Sequence, residues 1–145
     1  LYGFIPQTYC DDAVAALARK KGMNAVTESD KDPIDICVFT ERPISRGGIL
    51  VTARPIGGFR LIDKGEADDK IIAVLIDDPV FGACSNLSDM PIKLIDRLKY
   101  YFLTYKEIPD HTSSKGIVEL SAVYGMEEAL EVIQESFKDY KRCFK

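Results

Sequence analysis

Short β-prone segments separated by turn residues constrain the fold of this chain most strongly. Each segment is rich in branched or aromatic side chains and is bounded by proline, glycine or charged residues, which is typical of strands in a sheet. Their tight connections favour a sheet or barrel of antiparallel character. The segments predict strands at residues 34–40, 49–54, 58–63, 71–76 and 116–124.

Three other segments carry helical signals, and one carries a loop signal. Residues 13–21 are strong helix formers that follow a candidate Asp12 cap. Residues 94–106 and 126–142 repeat apolar side chains at helical spacing. The charged residues 63–70 are predicted to form a hairpin-like loop. We therefore expect an α+β fold, mainly β, in which a small barrel carries helices on its outside.

The composition predicts one globular domain over residues 1–145. Hydrophobic residues make up 46% and charged residues 29% of the chain, as in ordinary globular proteins. The formal net charge of −4 disfavours nucleic acid as the main partner, because phosphate backbones recruit basic surfaces. It is compatible with a small phosphate substrate whose charge is neutralised by metal ions on carboxylates.

Zinc, membrane and export signals are missing from the sequence. The four cysteines form no C-x-x-C pair, and the single histidine, His111, has no cysteine near it, which disfavours zinc. No apolar run approaches the ~20 residues that span a bilayer, and no secretory leader is visible. We therefore expect no membrane partner and a cytoplasmic location. Because the chain begins at Leu1 without an initiating Met, we also expect further residues upstream.

The most informative local pattern is the acidic block Asp30-Lys31-Asp32-Pro33-Ile34-Asp35. Pro33 restricts Asp32 to extended conformations, and strand alternation places Asp35 opposite Ile34. A carboxylate in an apolar strand is costly to bury without a partner, and magnesium binds such oxygens. A solvated turn explains the block equally well, because aspartate and proline are common turn residues. An EF-hand does not fit, since its glycine and distal glutamate are missing.

A second acidic cluster contains Asp63, Glu66, Asp68 and Asp69 and ends in Lys70. If its strands neighbour the strand that follows the first block, both clusters would meet at one mouth of the barrel. A lysine among those carboxylates would suit a phosphate oxygen that approaches the metals. Taken alone, however, the cluster is more typical of a charged hairpin tip.

A third candidate element is the pair Tyr105-Lys106 at the end of the second predicted helix. Lysine is favoured near a helix C-terminus by the helix dipole, and Tyr105 continues the apolar stripe. A structural role therefore explains both residues when they are considered alone.

Taken together and in this order, the blocks resemble the family I soluble inorganic pyrophosphatases over essentially the whole chain. The D-x-D-P-x-D block is fairly specific, and its combination with the later D-x4-D-x-K block is highly so. The resemblance rests on residues 2–6, 30–35, 54–57, 63–74 and 100–106.

The resemblance implies a fold, a reaction and a site. The fold would be an OB-like five-stranded barrel with flanking helices, and bacterial members are usually oligomers, often hexamers. The reaction would be Mg²⁺-dependent hydrolysis of inorganic pyrophosphate, with Asp32 as the general base. The implied magnesium ligands are Asp30, Asp35, Asp63 and Asp68. The implied phosphate contacts are Tyr2, Lys70, Tyr105 and Lys106.

Three features depart from the family pattern. Lys31 stands where a small or acidic residue such as glycine is usual, and it would lie against the carboxylates or point outwards. Residues 11–29 resemble an insertion that would cover the site or form an oligomer contact. The family's upstream region, which carries further site residues and the first strands of the barrel, has no counterpart here. Without it we expect an open barrel with exposed strand edges and little or no activity.

Two other functions fit parts of the sequence. An OB-like module that binds nucleic acid is disfavoured, because acids stand where basic and stacking residues are expected. A degenerate relative that serves as a non-catalytic binding or scaffold domain is disfavoured by its five matching carboxylates, which have no evident structural purpose.

Overall fold

The computed structural model describes residues 1–24, 26–106 and 118–145. Within these ranges the chain forms one five-stranded mixed sheet flanked by three α-helices, which confirms the predicted α+β class. The strands are β1 (Tyr2–Phe4), β2 (Asp35–Phe39), β3 (Ala53–Asp63), β4 (Glu66–Leu75) and β5 (Val118–Gly125). The helices are α1 (Asp12–Lys20), α2 (Ile92–Thr104) and α3 (Met126–Phe144), and a short 3₁₀ helix spans Leu87–Asp89.

The strands follow the order β1-β2-β4-β3-β5, with β1 and β5 at the two edges of an open sheet. Three of the pairings are antiparallel, but β2 and β4 are parallel. The expected antiparallel character therefore holds for three pairings and not for this one. The β3–β4 hairpin leaves the other side of β4 free, and β2 occupies it in the same direction as β4. This pairing places the end of the first acidic block beside the second.

Strand β3 corrects the predicted boundaries. A separate strand at residues 49–54 was wrong, because β3 runs continuously from Ala53 to Asp63. Its register shifts between Pro55 and Gly57, so a bulge accommodates the proline within the strand. Gly58 is needed for packing, since a Cβ there would lie 2.4 Å from the Tyr124 ring.

The predicted loop at residues 63–70 is reduced to a two-residue turn. Asp63 pairs with Glu66, and the intervening Lys64 and Gly65 have φ values of 52° and 91°. Positive φ at both positions is typical of a type I′ hairpin turn, whose twist matches that of the flanking strands. The other four charged residues of this segment are part of β4, where each is paired with a residue of β3: Glu66, Asp68, Asp69 and Lys70.

The three predicted helices are confirmed to within two residues at each end. The predicted strand at 116–124 corresponds to β5, although residues 116 and 117, like His111, lie outside the described residues. None of the helices in the described parts of the chain is long and apolar enough to cross a membrane.

The sheet buries apolar side chains on both faces. One face packs against α2, and its core includes Phe59, Leu61, Ile72, Val74, Ile95 and Phe102. The other face packs against α1 and α3, and its core includes Val14, Ile34, Ile71, Tyr124, Val132 and Ile133. Burying a large apolar side chain stabilises the fold by about 1.5–3 kcal/mol, so the two cores hold the central strands in place.

Helix α1 is docked on α3 by a buried carboxylate. The residue preceding α1 makes no side-chain cap. Instead, Asp139 of α3 accepts backbone hydrogen bonds from Asp11, Ala13 and Val14 at 3.0–3.1 Å. Asp139 is only 1% exposed. It therefore satisfies donors that a helix N-terminus otherwise leaves free.

Candidate active site

The two acidic blocks and the Tyr105-Lys106 pair line a single cleft of about 350 Å³. The parallel pairing of β2 with β4 explains this convergence, because it places Asp35 directly beside Lys70. The predicted meeting of the two acidic clusters is thus confirmed. The cleft is lined by Asp30, Asp32, Asp35, Asp63, Glu66, Asp68, Lys70, Tyr105 and Lys106.

Strand alternation selects which residues of β4 face the cleft. After the two-residue turn, Glu66, Asp68 and Lys70 lie on one face of the strand. Asp69 lies on the other face, opposite Arg60 in the register. The tight turn also places Asp63 beside Glu66, so acids from both arms of the hairpin reach the cleft.

Two lysines form ion pairs with the carboxylates. Lys70 donates hydrogen bonds to Asp35 and Asp68, and Lys106 donates one to Asp63. Burial lowers the pKa of Lys70, but the attraction of Asp68 and its hydrogen bonds with Asp35 and Asp68 outweigh this effect. The net result is a raised pKa, so Lys70 remains a cation although it is only 3% exposed.

The cleft holds more negative than positive charge. Six carboxyl groups line it against two lysines. Burial, reinforced by repulsion from Asp68, raises the pKa of Asp30 to about 7. An excess of carboxylate oxygens at this position fits a hard divalent cation such as Mg²⁺. In the described residues, no three acidic, cysteine or histidine side chains converge as the ligands of one ion; the two ammonium groups lie among the carboxylates instead.

Aromatic residues border the cleft. The ring of Tyr105 lies 5.5 Å from the Lys106 ammonium group and is stacked on Tyr101 at 5.3 Å. Tyr2, on edge strand β1, is not among the lining residues. Burial, together with the neighbouring Asp35 carboxylate, raises the pKa of Tyr2. Its hydroxyl therefore keeps the proton that it needs as a donor.

The charge of Lys31 is directed away from the cleft. Its ammonium group lies 3.2 Å from Glu28, and both side chains are about half exposed. The backbone of Lys31 has φ of 59°, in the left-handed region that favours glycine. The Lys31 side chain therefore points outwards rather than against the carboxylates of the cleft.

Replacing Lys31 by glycine is expected to stabilise the protein slightly. Glycine adopts left-handed φ without steric penalty, and the exposed pair with Glu28 contributes little. We expect Tm to rise by up to about 4 °C in a thermal unfolding experiment. An alanine variant provides the control, because it removes the charge without relieving the backbone, and it should not raise Tm. A lower Tm for the glycine variant would contradict this account.

Glu66 is the one cleft residue that the sequence analysis did not include among the site residues. It belongs to the second acidic cluster, whose residues are predicted to form a loop rather than a strand. The signal that identifies it is its alternation with Asp68 and Lys70 after a two-residue turn. None of the described residues from 11 to 29, the segment predicted as an insertion, lines the cleft.

Comparison with known proteins gives a consistent result. Residues 1–141 match the family described as inorganic pyrophosphatase. The inorganic pyrophosphatase of Chlamydia caviae is 45% identical over 99% of this chain and 68% of its own length. The solved inorganic pyrophosphatase of Neisseria gonorrhoeae has a TM-score of 0.72 at 33% identity, covering 97% of this chain and 68% of that one. That of Thermus thermophilus has a TM-score of 0.73 at 26% identity, covering 97% and 70%. The predicted OB-like fold is thereby confirmed.

Proposed function

The chain belongs to the inorganic pyrophosphatase family, and from this premise we propose that it hydrolyses inorganic pyrophosphate to two phosphates with Mg²⁺ held in the cleft. The observation that carries the proposal is the combination of six carboxylates and two lysines around one cleft. Carboxylates alone would repel a polyanion, whereas carboxylates that hold cations beside lysines form a site for one.

The magnesium ligands proposed from the sequence are Asp30, Asp35, Asp63 and Asp68. All four line the cleft, and their oxygens are the donors that magnesium prefers. When bound, magnesium would neutralise pyrophosphate charge and make water a stronger acid. Glu66 lies beside Asp63 at the hairpin tip and adds a further carboxylate near these ligands.

We assign Asp32 the role of general base. Its side chain lines the cleft, and it takes part in none of the ion pairs among the described residues. Its backbone is held on both sides: its N–H donates to Asp30 at 3.3 Å, and its carbonyl accepts from Cys10 at 2.9 Å. Asp32 would accept a proton from water as the water oxygen attacks one phosphorus and the bridging P–O bond breaks.

The remaining cleft residues suit contact with the phosphates. Lys70 and Lys106 supply ammonium donors, and Tyr105 and Tyr2 supply hydroxyl donors at or beside the cleft. Donors of this kind stabilise charge that develops on the leaving phosphate. When the substrate binds, the two lysines would leave their carboxylate partners and turn toward the phosphate oxygens.

We further propose a cytoplasmic, homo-oligomeric protein that has neither nucleic acid nor membrane as its partner. The net charge of −4 argues against nucleic acid as a partner. The family resemblance implies that the protein forms oligomers. Size-exclusion chromatography with light scattering would measure the oligomeric state. A monomer at micromolar concentration would contradict this part of the proposal.

Removing metal is expected to abolish phosphate release from pyrophosphate. The carboxylates of the cleft would then lack the cations that let them accept a polyanion. A colorimetric phosphate assay of the full-length product with pyrophosphate should detect turnover in Mg²⁺, none in EDTA, and recovery when Mg²⁺ is restored. No release in any condition would contradict the hydrolase assignment and favour a non-catalytic scaffold. Full release in EDTA would contradict the metal site alone.

A further inference from the structure

A buried polar cluster lies behind the cleft, on the opposite face of the sheet. Its members are Arg60, Asp69, Tyr124 and Glu128. The Arg60 Nη1 donates to Glu128 at 2.7 Å, and its Nε lies 3.4 Å from Asp69. Tyr124 donates its hydroxyl proton to Asp69 at 2.9 Å, and its ring lies 5.0 Å from the Arg60 guanidinium carbon. The cluster therefore joins strands β3, β4 and β5 to helix α3.

This cluster is not explained by stability. Arg60 is 1% and Asp69 4% exposed, so both charges have lost most of their water. Among the residues that the structure describes, Arg60 Nε and Nη2 have no hydrogen-bond partner. A buried ion pair with incomplete hydrogen bonding is often no more stable than apolar residues of similar size. Its position in the fold suggests a different role.

The local sequence of β4 does not by itself decide which of its two faces is turned toward the cleft. Asp68 and Asp69 are identical residues on opposite faces, and the following Ile71 and Ile72 are both fully buried. A shift of one residue would exchange the two faces of the strand. Such a shift would still give each core an isoleucine and the cleft an aspartate, so the apolar residues oppose it only weakly. The opposition comes from Glu66 and Lys70, which the shift would turn toward the other core.

We propose that Asp69 and Arg60 are positioning residues for the reaction. Their ion pair fixes which face of β4 is turned toward the cleft, so that Asp68 and Lys70 point into it. The two residues lie directly opposite each other in the β3–β4 register. The two-residue turn fixes this register at the hairpin tip, and the ion pair fixes it three positions further along β4. The inference rests on the proposed function, since it assumes the roles assigned there to Asp68 and Lys70.

The test replaces the cluster with apolar residues of similar size. A variant carrying Arg60→Met, Asp69→Leu and Tyr124→Phe together leaves no buried charge or hydroxyl of these residues unpaired. We expect its free energy of unfolding to remain close to that of wild type. We expect kcat for pyrophosphate and magnesium affinity, measured by calorimetry without substrate, each to fall by about 10–100-fold. Unchanged kcat and magnesium affinity in this folded variant would overturn the proposal.

A milder variant keeps the test decisive if the triple variant does not fold. Tyr124→Phe removes only the hydroxyl that donates to Asp69 and keeps the ring beside Arg60. It should reduce kcat and magnesium affinity by about threefold or more, because Asp69 loses a hydrogen bond that holds it against Arg60. Values equal to those of wild type would overturn the proposal. The control is Lys21→Gln at the exposed end of the cluster, 3.7 Å from Glu128, which should leave both values unchanged.

An Asp68→Asn variant in the same assays separates the two proposals. If it keeps full activity and magnesium affinity, the site assigned under the proposed function is wrong. If it loses both while the triple variant keeps both, the proposed function stands and the positioning role fails. Loss in both variants, with the Lys21→Gln control unchanged, supports the positioning role.

Discussion

Replacing Asp32 by asparagine is expected to lower kcat for pyrophosphate by on the order of 10²–10⁴ while leaving the fold intact. Asparagine has nearly the same shape but cannot accept a proton from water. The hydrogen bonds that hold Asp32 use its backbone, through Asp30 and Cys10, so they survive the substitution. The measurement is kcat from phosphate release, together with the free energy of unfolding in urea.

A matched control is Asp96→Asn on the surface of α2. Asp96 is 54% exposed and, within the described part of the chain, pairs only with Lys99, one turn further along the helix, so its substitution should change neither kcat nor stability. The general-base role also requires magnesium affinity to remain close to that of wild type in Asp32→Asn. An unchanged kcat would remove Asp32 from the mechanism. A large loss of magnesium affinity would instead make Asp32 a metal ligand.

Asp32 differs from three of the other acids of the cleft in its partners. Asp35, Asp63 and Asp68 are paired with lysines, whereas Asp32, like Asp30 and Glu66, takes part in no ion pair among the described residues. The geometry therefore leaves the Asp32 carboxylate available to a water molecule in the cleft. The choice of Asp32 over Asp30 and Glu66 as the base rests on the family resemblance.

The helices were predictable from the sequence because their signals are local. Apolar residues at helical spacing located α2 and α3 to within two residues of their observed ends. Strand β3 was mispredicted because Pro55 and Gly57 disfavour a strand locally. The reasons that they are tolerated lie elsewhere, in a bulge and in the close approach of the Tyr124 backbone to Gly57. No local pattern contains that information.

The site was predictable as a set of residues but not as an arrangement. The acidic blocks were visible because carboxylates are rare at this density around a strand. The contact of Lys70 with Asp35 depends on a parallel pairing between residues 35 positions apart, which composition and spacing do not indicate. The placement of Glu66 and the buried Asp69 is hidden for a related reason: the charges of residues 63–70 predict a loop, and side chains in a loop do not follow strand alternation.

Replacing Asp139 by alanine is expected to give the largest loss of stability. Its carboxylate accepts the backbone N–H groups of Asp11, Ala13 and Val14 and pairs with Arg142 at 3.0 Å. Alanine leaves these donors without their acceptor in a site that is almost fully buried. Removing one partner of such a buried charged cluster costs about 3–5 kcal/mol, a large share of the roughly 5–15 kcal/mol that holds a domain together.

Urea unfolding of the Asp139→Ala variant measures this loss, and Asp12→Ala is the matched control. Asp12 lies at the same end of α1 and also pairs with Arg142, but its side chain is 80% exposed, so its loss should have little effect on stability. Because no described residue of α1 lines the cleft, kcat of folded Asp139→Ala should match wild type. A stability loss as small as that of the control would show that water replaces the carboxylate. A fall in kcat without loss of stability would show instead that α1 takes part in the reaction.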